Sequence, residues 1–248
     1  MKKGISQEGL KLIASVTMLI DHIGATIVYA MYLAAWNSED YALANTLASV
    51  YELMRVIGRI AFPIYCFLLV EGFHHTRDLK KYIIRLGIGV LLAEIPFDLA
   101  FSGGIDWESS SVMVTLLLGC LMMLAMQKVK GLWKIAVILP FFLAAELLRT
   151  DYAGNGIAII AMLALTRGMP REKLLRTAGF VVLLWFGATV QIGSVELPIE
   201  LFGLLGLIPM FRYSGRKLTR SKAVQWAFYL FYPVHLTVLW ILEGLFFG

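Results

Sequence analysis

The chain has 248 residues, 59% of them hydrophobic and 16% charged, with a formal net charge of +5 and a mean hydropathy of +0.77. A soluble domain of this length cannot hide so much apolar surface, so a soluble helical bundle is set aside in favour of a polytopic helical membrane protein. The basic balance would suit nucleic acid, but its placement in alternate loops argues for membrane topology and no nucleic-acid partner.

In chain order, nine apolar runs read as spans, at roughly 10–35, 50–74, 79–102, 110–127, 132–150, 153–167, 173–193, 196–213 and 222–246. The expected fold is all-α, one membrane-embedded domain over residues 1–248. The first run is too long for a signal-peptide core and no small-residue cleavage site follows it, so it reads as a retained helix. Residues 37–49 read as a polar connector. Pro63, Pro96, Pro140 and Pro233 lie inside spans, where a kink is tolerated if neighbours satisfy the freed carbonyl. Cys66 and Cys120 both fall inside spans, so neither a disulfide framework nor a thiolate metal site is expected.

Loop charges alternate along the chain. Arg77, Lys80, Lys81 and Arg85 share one connector. Lys128, Lys130 and Lys134 share the next basic one, then Arg167, Arg171, Lys173 and Arg176, then Arg212, Arg216, Lys217, Arg220 and Lys222. The connectors between carry Glu39 and Asp40, Asp106 and Glu108, Asp151, and Glu196, with Arg149 as the exception. By the positive-inside rule the basic loops are cytoplasmic, the N-terminus is inside and the C-terminus outside, as in a multi-pass protein of a bacterial plasma membrane.

Against this background the string "LIDHIG" at residues 19–24 stands out. Asp21 and His22 lie about 16 Å into the first span at 1.5 Å per residue, near mid-membrane. Arg59 and His235 fall near the middle of spans two and nine. Ionisable groups at such depth cost at least about 2.5 kcal/mol each and ordinarily face a partner or a water-filled cavity. Asp21 and His22 point about 100° apart on a helix, so Asp21 is expected to pair elsewhere, with Arg59 the natural partner. His22 is then free to act as a base near neutral pH. Helix-to-helix glue is the alternative for all four groups.

Other clusters carry less definite readings. Glu71, His74 and His75 at the inner end of span two read as a solvated helix end, a phosphate contact or a metal site. No metal is expected, because three ligands on one helical turn rarely converge on an ion. Glu94 and Asp98, at i and i+4 beside Pro96, repel each other and call for water, a proton, or a basic partner such as Arg149 or an incoming amine. Glu146 and Arg149 are expected to pair at i,i+3. "YAGNG" at 152–156 reads as a tight turn or helix start.

The strings "KLIASVTMLIDHIGA", "RVIGRIAFPIYCFLLVEGFHHTRDLKKYIIRLGIGVLLAEIPFDLAF", "VTLLLG" and "FYLFYPVHL" resemble the TraX family nearly end to end, within the wider group of integral-membrane acyltransferases. That resemblance implies acetyl transfer. The family's named member is associated with acetylation of pilin N-termini, and the wider group moves acetyl from cytosolic acetyl-CoA to acceptors at or beyond the membrane. By motif, His22 matches the membrane-embedded histidine of the group and Arg59 the arginine of the "GRIAFP" block. The expected catalytic set is His22, Asp21 and Arg59. His74, His75, Lys80, Lys81 and Arg85 are the expected contacts for the donor's phosphates, and Glu94, Asp98 and His235 the expected substrate contacts. The partners are then acetyl-CoA as co-substrate, an acceptor bearing a peptide amine or glycan hydroxyl, and membrane lipids. A proton-coupled secondary transporter is the main alternative, since a midplane Asp, His and Arg suit that class too. A non-enzymatic assembly factor is the third.

Overall fold

The computed structural model describes residues 4–106, 108–171, 174–175, 177–179, 189–192, 195–219 and 221–247. Most of the seventh expected span lies outside the described residues, as do Lys173, Arg176 and Arg220. The chain divides into two units. The first holds residues 1–64, 99–104 and 186–248, and the second residues 65–98 and 105–185.

The first unit begins with α1 (Gln7–Ile23), capped where the Ser6 hydroxyl accepts the Gly9 N–H. A π-helical stretch (Gly24–Val28) follows directly and passes into α2 (Tyr29–Asn37). Together they form one rod of 31 residues. The π stretch begins two residues after His22, and the Thr26 hydroxyl donates to the His22 carbonyl at 2.7 Å. Such widenings interrupt the i,i+4 ladder and are frequent at functional sites.

The expected polar connector at 37–49 is much shorter than the sequence indicated. Ser38, Glu39 and Asp40 make the whole turn, with Glu39 at φ 62. Asp40 then caps α3 (Tyr41–Gly58) by accepting the Leu43 N–H at 3.0 Å. The alanines of "YALANTLASVYE" explain the difference, because Ala44 and Leu47 pack into a core with Val28 and Ala35 and supply helical periodicity where the polar residues face outward. The α3 rod breaks at Arg59 and Ile60 and resumes as α4 (Ala61–His75).

The eighth expected span is not one helix. A two-stranded antiparallel ladder pairs β1 (Thr189–Ile192) with β2 (Val195–Pro198) in the register Thr189↔Pro198 to Ile192↔Val195, a small departure from the all-α expectation in a chain that is otherwise mostly helical. A 3₁₀ helix (Ile199–Gly206) and the short α9 (Leu207–Phe211) follow. The reason lies in close approach: a Cβ on Gly203 would sit 3.2 Å from the Arg59 carbonyl oxygen, and one on Gly206 3.0 Å from that of Ile60. Glycine lets this segment lie against the break between α3 and α4. The long α10 (Lys222–Phe247) ends the unit.

In the second unit α5 (Leu79–Ser102), which carries Pro96 and continues into the first unit, is followed by α6 (Val112–Met126), α7 (Trp133–Leu147) and α8 (Ala153–Thr166). Helix α8 starts within "YAGNG", with Tyr152 in the left-handed region at φ 68. The Thr115 hydroxyl donates to the Asp151 carbonyl at 2.6 Å and ties α6 to that start.

Among the described residues, three rods are long and apolar enough to cross a membrane: Gln7–Asn37, Tyr41–His75 and Lys222–Phe247. Helices α6 and α8, of 15 and 14 residues, rise only about 21–23 Å, short of a hydrocarbon core of about 30 Å. The exposed faces are those of a membrane protein. On α10, Leu230, Val234, Val238, Ile241 and Leu245 are exposed, while Tyr232, His235, Leu236 and Leu239 are buried. A stripe of this kind costs nothing in lipid and is a liability in water.

Candidate functional site

The residues expected near mid-membrane come together within the first unit. Helix α1 presents Asp21 and His22 to different neighbours, as their 100° offset requires. Both are buried.

Asp21 meets two arginines of α3. Arg55 Nη1 donates to Oδ2 at 2.7 Å, and Arg59 Nη2 donates to Oδ1 and Oδ2 at 3.1 and 3.2 Å. The expected Asp21–Arg59 pair is therefore present, and Arg55, one turn earlier, joins it. The sequence reading missed Arg55 because it lay close to the assumed start of span two, where a cation is ordinary. It also missed Glu200, brought by the 3₁₀ helix to 3.4 Å from Arg59 Nη1. Two carboxylates and two guanidiniums balance in charge, which is how ionic groups are kept in a dry setting.

Gly58 makes the pairing possible. A Cβ there would stand 2.3 Å from the Asp21 Cβ and Cγ, so α1 and α3 touch at this point. Gly58→Ala is expected to destabilise the protein by about 1–3 kcal/mol, as overpacking does. Thermal unfolding in detergent checks this, and an unchanged melting temperature would contradict the contact.

His22 is not free, as the sequence reading had it. Its Nδ1 lies 2.6 Å from Nε2 of His235, and His235 Nδ1 lies 2.6 Å from the Phe231 carbonyl oxygen. The ring planes differ by 10° with centroids 4.9 Å apart. That separation is the N···N distance plus a ring radius on either side, so the imidazoles lie edge to edge in one plane and the hydrogen bond points along the nitrogen lone pair. A carbonyl only accepts, so His235 carries its proton on Nδ1 and offers Nε2 as acceptor. In the neutral pair His22 must then donate from Nδ1. Its Nε2 keeps a bare lone pair and has no hydrogen-bond partner among the described residues. Phe101 and Tyr232 set their ring planes across His22 at 5.4 and 5.8 Å.

The other sequence candidates sit in the second unit. His74 and His75 are exposed at the end of α4, where His75 Nδ1 donates to the Glu71 carbonyl at 2.9 Å. Glu71 itself pairs with Arg167 at 2.9 Å. Lys80 is exposed, Lys81 pairs with Asp78 at 3.0 Å and Arg85 stacks over Tyr82 at 5.9 Å. The backbone N–H and the ammonium of Lys81 hold the Asp78 carboxyl below its usual range. Glu94 accepts from the Ser111 hydroxyl at 2.5 Å, and Asp98 accepts the Asp106 N–H at 3.2 Å. Arg149 reaches neither of them. It pairs with Glu108 at 3.1 Å, and Glu146, its expected partner, accepts the Gly154 N–H at 3.0 Å. The positive φ of Arg149, 44, turns the chain there and ends the helical register that an i,i+3 pair needs.

A family model described as TraX protein matches residues 6–243. The chain belongs to the TraX family. This TraX-family chain is also 31% identical to a protein described as probable fimbrial assembly protein FimC, serogroup H1, of Dichelobacter nodosus, over 93% of this chain and 92% of that protein. No solved structure matches the chain significantly. The match takes in both the "LIDHIG" helix and the "YPVH" helix, so the paired histidines lie within the family's extent.

Proposed function

We propose that this protein is a membrane-embedded acetyltransferase of a bacterial plasma membrane. It moves acetyl from cytosolic acetyl-CoA to an amine or hydroxyl acceptor, such as a pilin or other peptide N-terminus or a glycan. The observation that carries this reading is the in-plane His22–His235 pair, which pins one nitrogen of His22 and leaves Nε2 as an oriented base. The printed description of the D. nodosus relative, a fimbrial assembly protein, supports an acceptor among surface-fibre subunits.

The step balances on that one atom. The acceptor nitrogen attacks the thioester carbonyl carbon while its proton passes to His22 Nε2. The tetrahedral centre collapses, the C–S bond breaks, and the thiolate leaves and takes the proton back as free CoA thiol. The His22 Nδ1–H bond to His235 strengthens as His22 becomes cationic, so His235 stabilises the charged intermediate state and fixes the tautomer, as the partner of a catalytic histidine does in a triad. The same Nε2 is also placed to attack the thioester itself and carry the acetyl group. The Asp21, Arg55, Arg59 and Glu200 network touches no reacting atom in this scheme and holds α1 in register with α3.

The topology belongs to the same proposal: an odd number of spans, N-terminus inside and C-terminus outside. One feature of the fold supports an odd number. Lys11 and His22 of α1 meet Phe228 and His235 of α10 in the same order, so the two rods run in the same direction. A first and last span that run in the same direction bound an odd total.

The test is release of free CoA thiol from acetyl-CoA by the detergent-purified protein, given a panel of peptides, amines and sugars. The expected result is release that needs an acceptor. No release, with no rise in melting temperature on adding acetyl-CoA, would move the reading to a proton-coupled carrier.

A further inference from the structure

Helix α5 turns two carboxylates, Glu94 and Asp98, toward the segment 106–111 that follows it, wholly within the second unit. Glu94 Oε1 accepts from the Ser111 hydroxyl at 2.5 Å and from the Ser111 N–H at 3.2 Å. Asp98 Oδ2 accepts the Asp106 N–H at 3.2 Å. At i and i+4 the two side chains are neighbours on one helix face, with Cβ atoms about 5–6 Å apart. Among the described residues no lysine or arginine lies at ion-pair distance from either, and Arg149, their expected partner, is held by Glu108 at 3.1 Å.

The remaining Asp98 oxygen sets this pair apart. Asp98 is 5% exposed, and its Oδ1 is buried with no hydrogen-bond partner among the described residues. A proton does not repair this. It turns an acceptor without a donor into a donor without an acceptor, and either state costs about 1–3 kcal/mol. A water supplies a donor but leaves two negative charges one helical turn apart. A metal ion is poorly served. Calcium takes about six to eight oxygens, and no group of three or more His, Cys, Asp or Glu that could hold an ion occurs among the described residues. A primary ammonium brings one positive charge and three N–H donors. With N···O distances of about 2.8 Å on either side it bridges oxygens up to about 5.6 Å apart, the spacing of an i,i+4 pair. Glu94 is only partly buried, which leaves the pair open to a ligand on that side.

We infer that Glu94 and Asp98 form a binding site for a primary ammonium group, and that its occupant is the amine of the acetyl acceptor. The identity of the occupant rests on the acetyl-transfer reading, and it narrows the acceptor from an amine or hydroxyl to an amine. The ammonium of an ethanolamine lipid headgroup has the same chemistry and is the competing source.

The test is binding of an alanine tripeptide amide, with a free or an N-acetylated terminus, to the full chain in detergent, comparing the wild type, Glu94→Gln and Asp98→Asn. The free amine is expected to bind the wild type at least about tenfold tighter than the acetylated peptide, and each substitution to remove about that factor, the worth of one charge-assisted contact. Glu94→Gln is expected to melt no lower than the wild type, because glutamine still accepts from the Ser111 hydroxyl and one uncompensated charge is gone. Equal binding of the two peptides by the wild type overturns the site whether or not the variants fold. Unchanged selectivity in both variants, with lowered melting temperatures, also overturns it and leaves the carboxylates as anchors for the 106–111 segment. CoA thiol release separates the two readings. Release with amine acceptors whose KM neither substitution raises keeps acetyl transfer and removes the site. Carboxylate-dependent amine binding without any acceptor-dependent release keeps the site and removes acetyl transfer. Selective peptide binding that is abolished in phosphatidylethanolamine nanodiscs but kept in phosphatidylcholine ones assigns the site to headgroups and overturns the acceptor as its occupant.

Discussion

His22→Ala is expected to abolish acetyl transfer while leaving the protein folded. General-base catalysis contributes about 10²–10⁴-fold, and the loss is larger if Nε2 carries the acetyl group, because no other atom then accepts it. Folding survives because the removed ring gives up one hydrogen bond, to His235, and neighbouring aromatic rings line the site. The cost is about 1–3 kcal/mol for the His235 Nε2 left without a donor. The informative comparison is His235→Phe. It keeps the ring volume but removes the acceptor that pins His22 Nδ1, so His22 is free to take the wrong tautomer. Activity should then fall steeply, by the order of 10²–10⁴-fold seen when a tautomer-fixing partner is replaced, with acetyl-CoA binding retained. CoA thiol release measures both variants, and binding of acetyl-CoA separates chemistry from donor affinity. A His22→Ala protein with wild-type turnover would remove His22 from the reaction. A His235→Phe protein with wild-type turnover would leave His22 the base and reduce His235 to packing.

How much of this was legible beforehand varies residue by residue. Asp21 and His22 were legible because ionisable groups in an otherwise apolar run are expensive and so stand out. Counting about 1.5 Å per residue along each run also grouped them with Arg59 and His235, the residues they meet in the structure. Azimuth was not. Whether two residues at one depth touch depends on which way each rod is rotated, and His22 and His235 are 213 positions apart. Hence His22 was read as a free base and the hydrogen bond between His22 and His235 was not foreseen. Arg55 was hidden by the boundary of span two, because hydropathy alone does not register that "YALANTLASVYE" is already helix. Glu200 was hidden by the reading of 196–213 as one span. The glycines at 203 and 206 are the local signal of the close backbone approach that replaces it. The hairpin at 189–198 left no usable trace: its strands are four residues each, too short for alternation to outweigh the apolar composition around them.

The second large effect falls on stability and comes from Asp21. Asp21→Ala leaves Arg55 and Arg59 facing each other across the space the carboxylate filled, with Glu200 the one remaining anion of the network, 3.4 Å from Arg59. Removing one partner of a buried ion pair costs about 3–5 kcal/mol, since the other charge stays buried and uncompensated. That is a large share of the stability of an ordinary domain. The expected outcome is a marked fall in melting temperature, or poor recovery from the membrane, with activity lost along with the folded protein. Asp21→Asn keeps the shape and two acceptor lone pairs but removes the charge, and should fall between Asp21→Ala and the wild type. The double variant Asp21→Ala/Arg55→Leu restores electrical balance, because Arg59 then keeps Glu200 and no unpaired guanidinium remains. It should be more stable than Asp21→Ala alone. Melting temperatures of these four proteins and of the single variant Arg55→Leu in one detergent measure this coupling directly. If the double variant were less stable than either single variant predicts, charge balance would not be what Asp21 supplies. The same series separates the two roles assigned to the neighbouring residues of "LIDHIG". Turnover per folded molecule should recover in the double variant, where His22 is intact, and should stay lost in His22→Ala, where the network is intact.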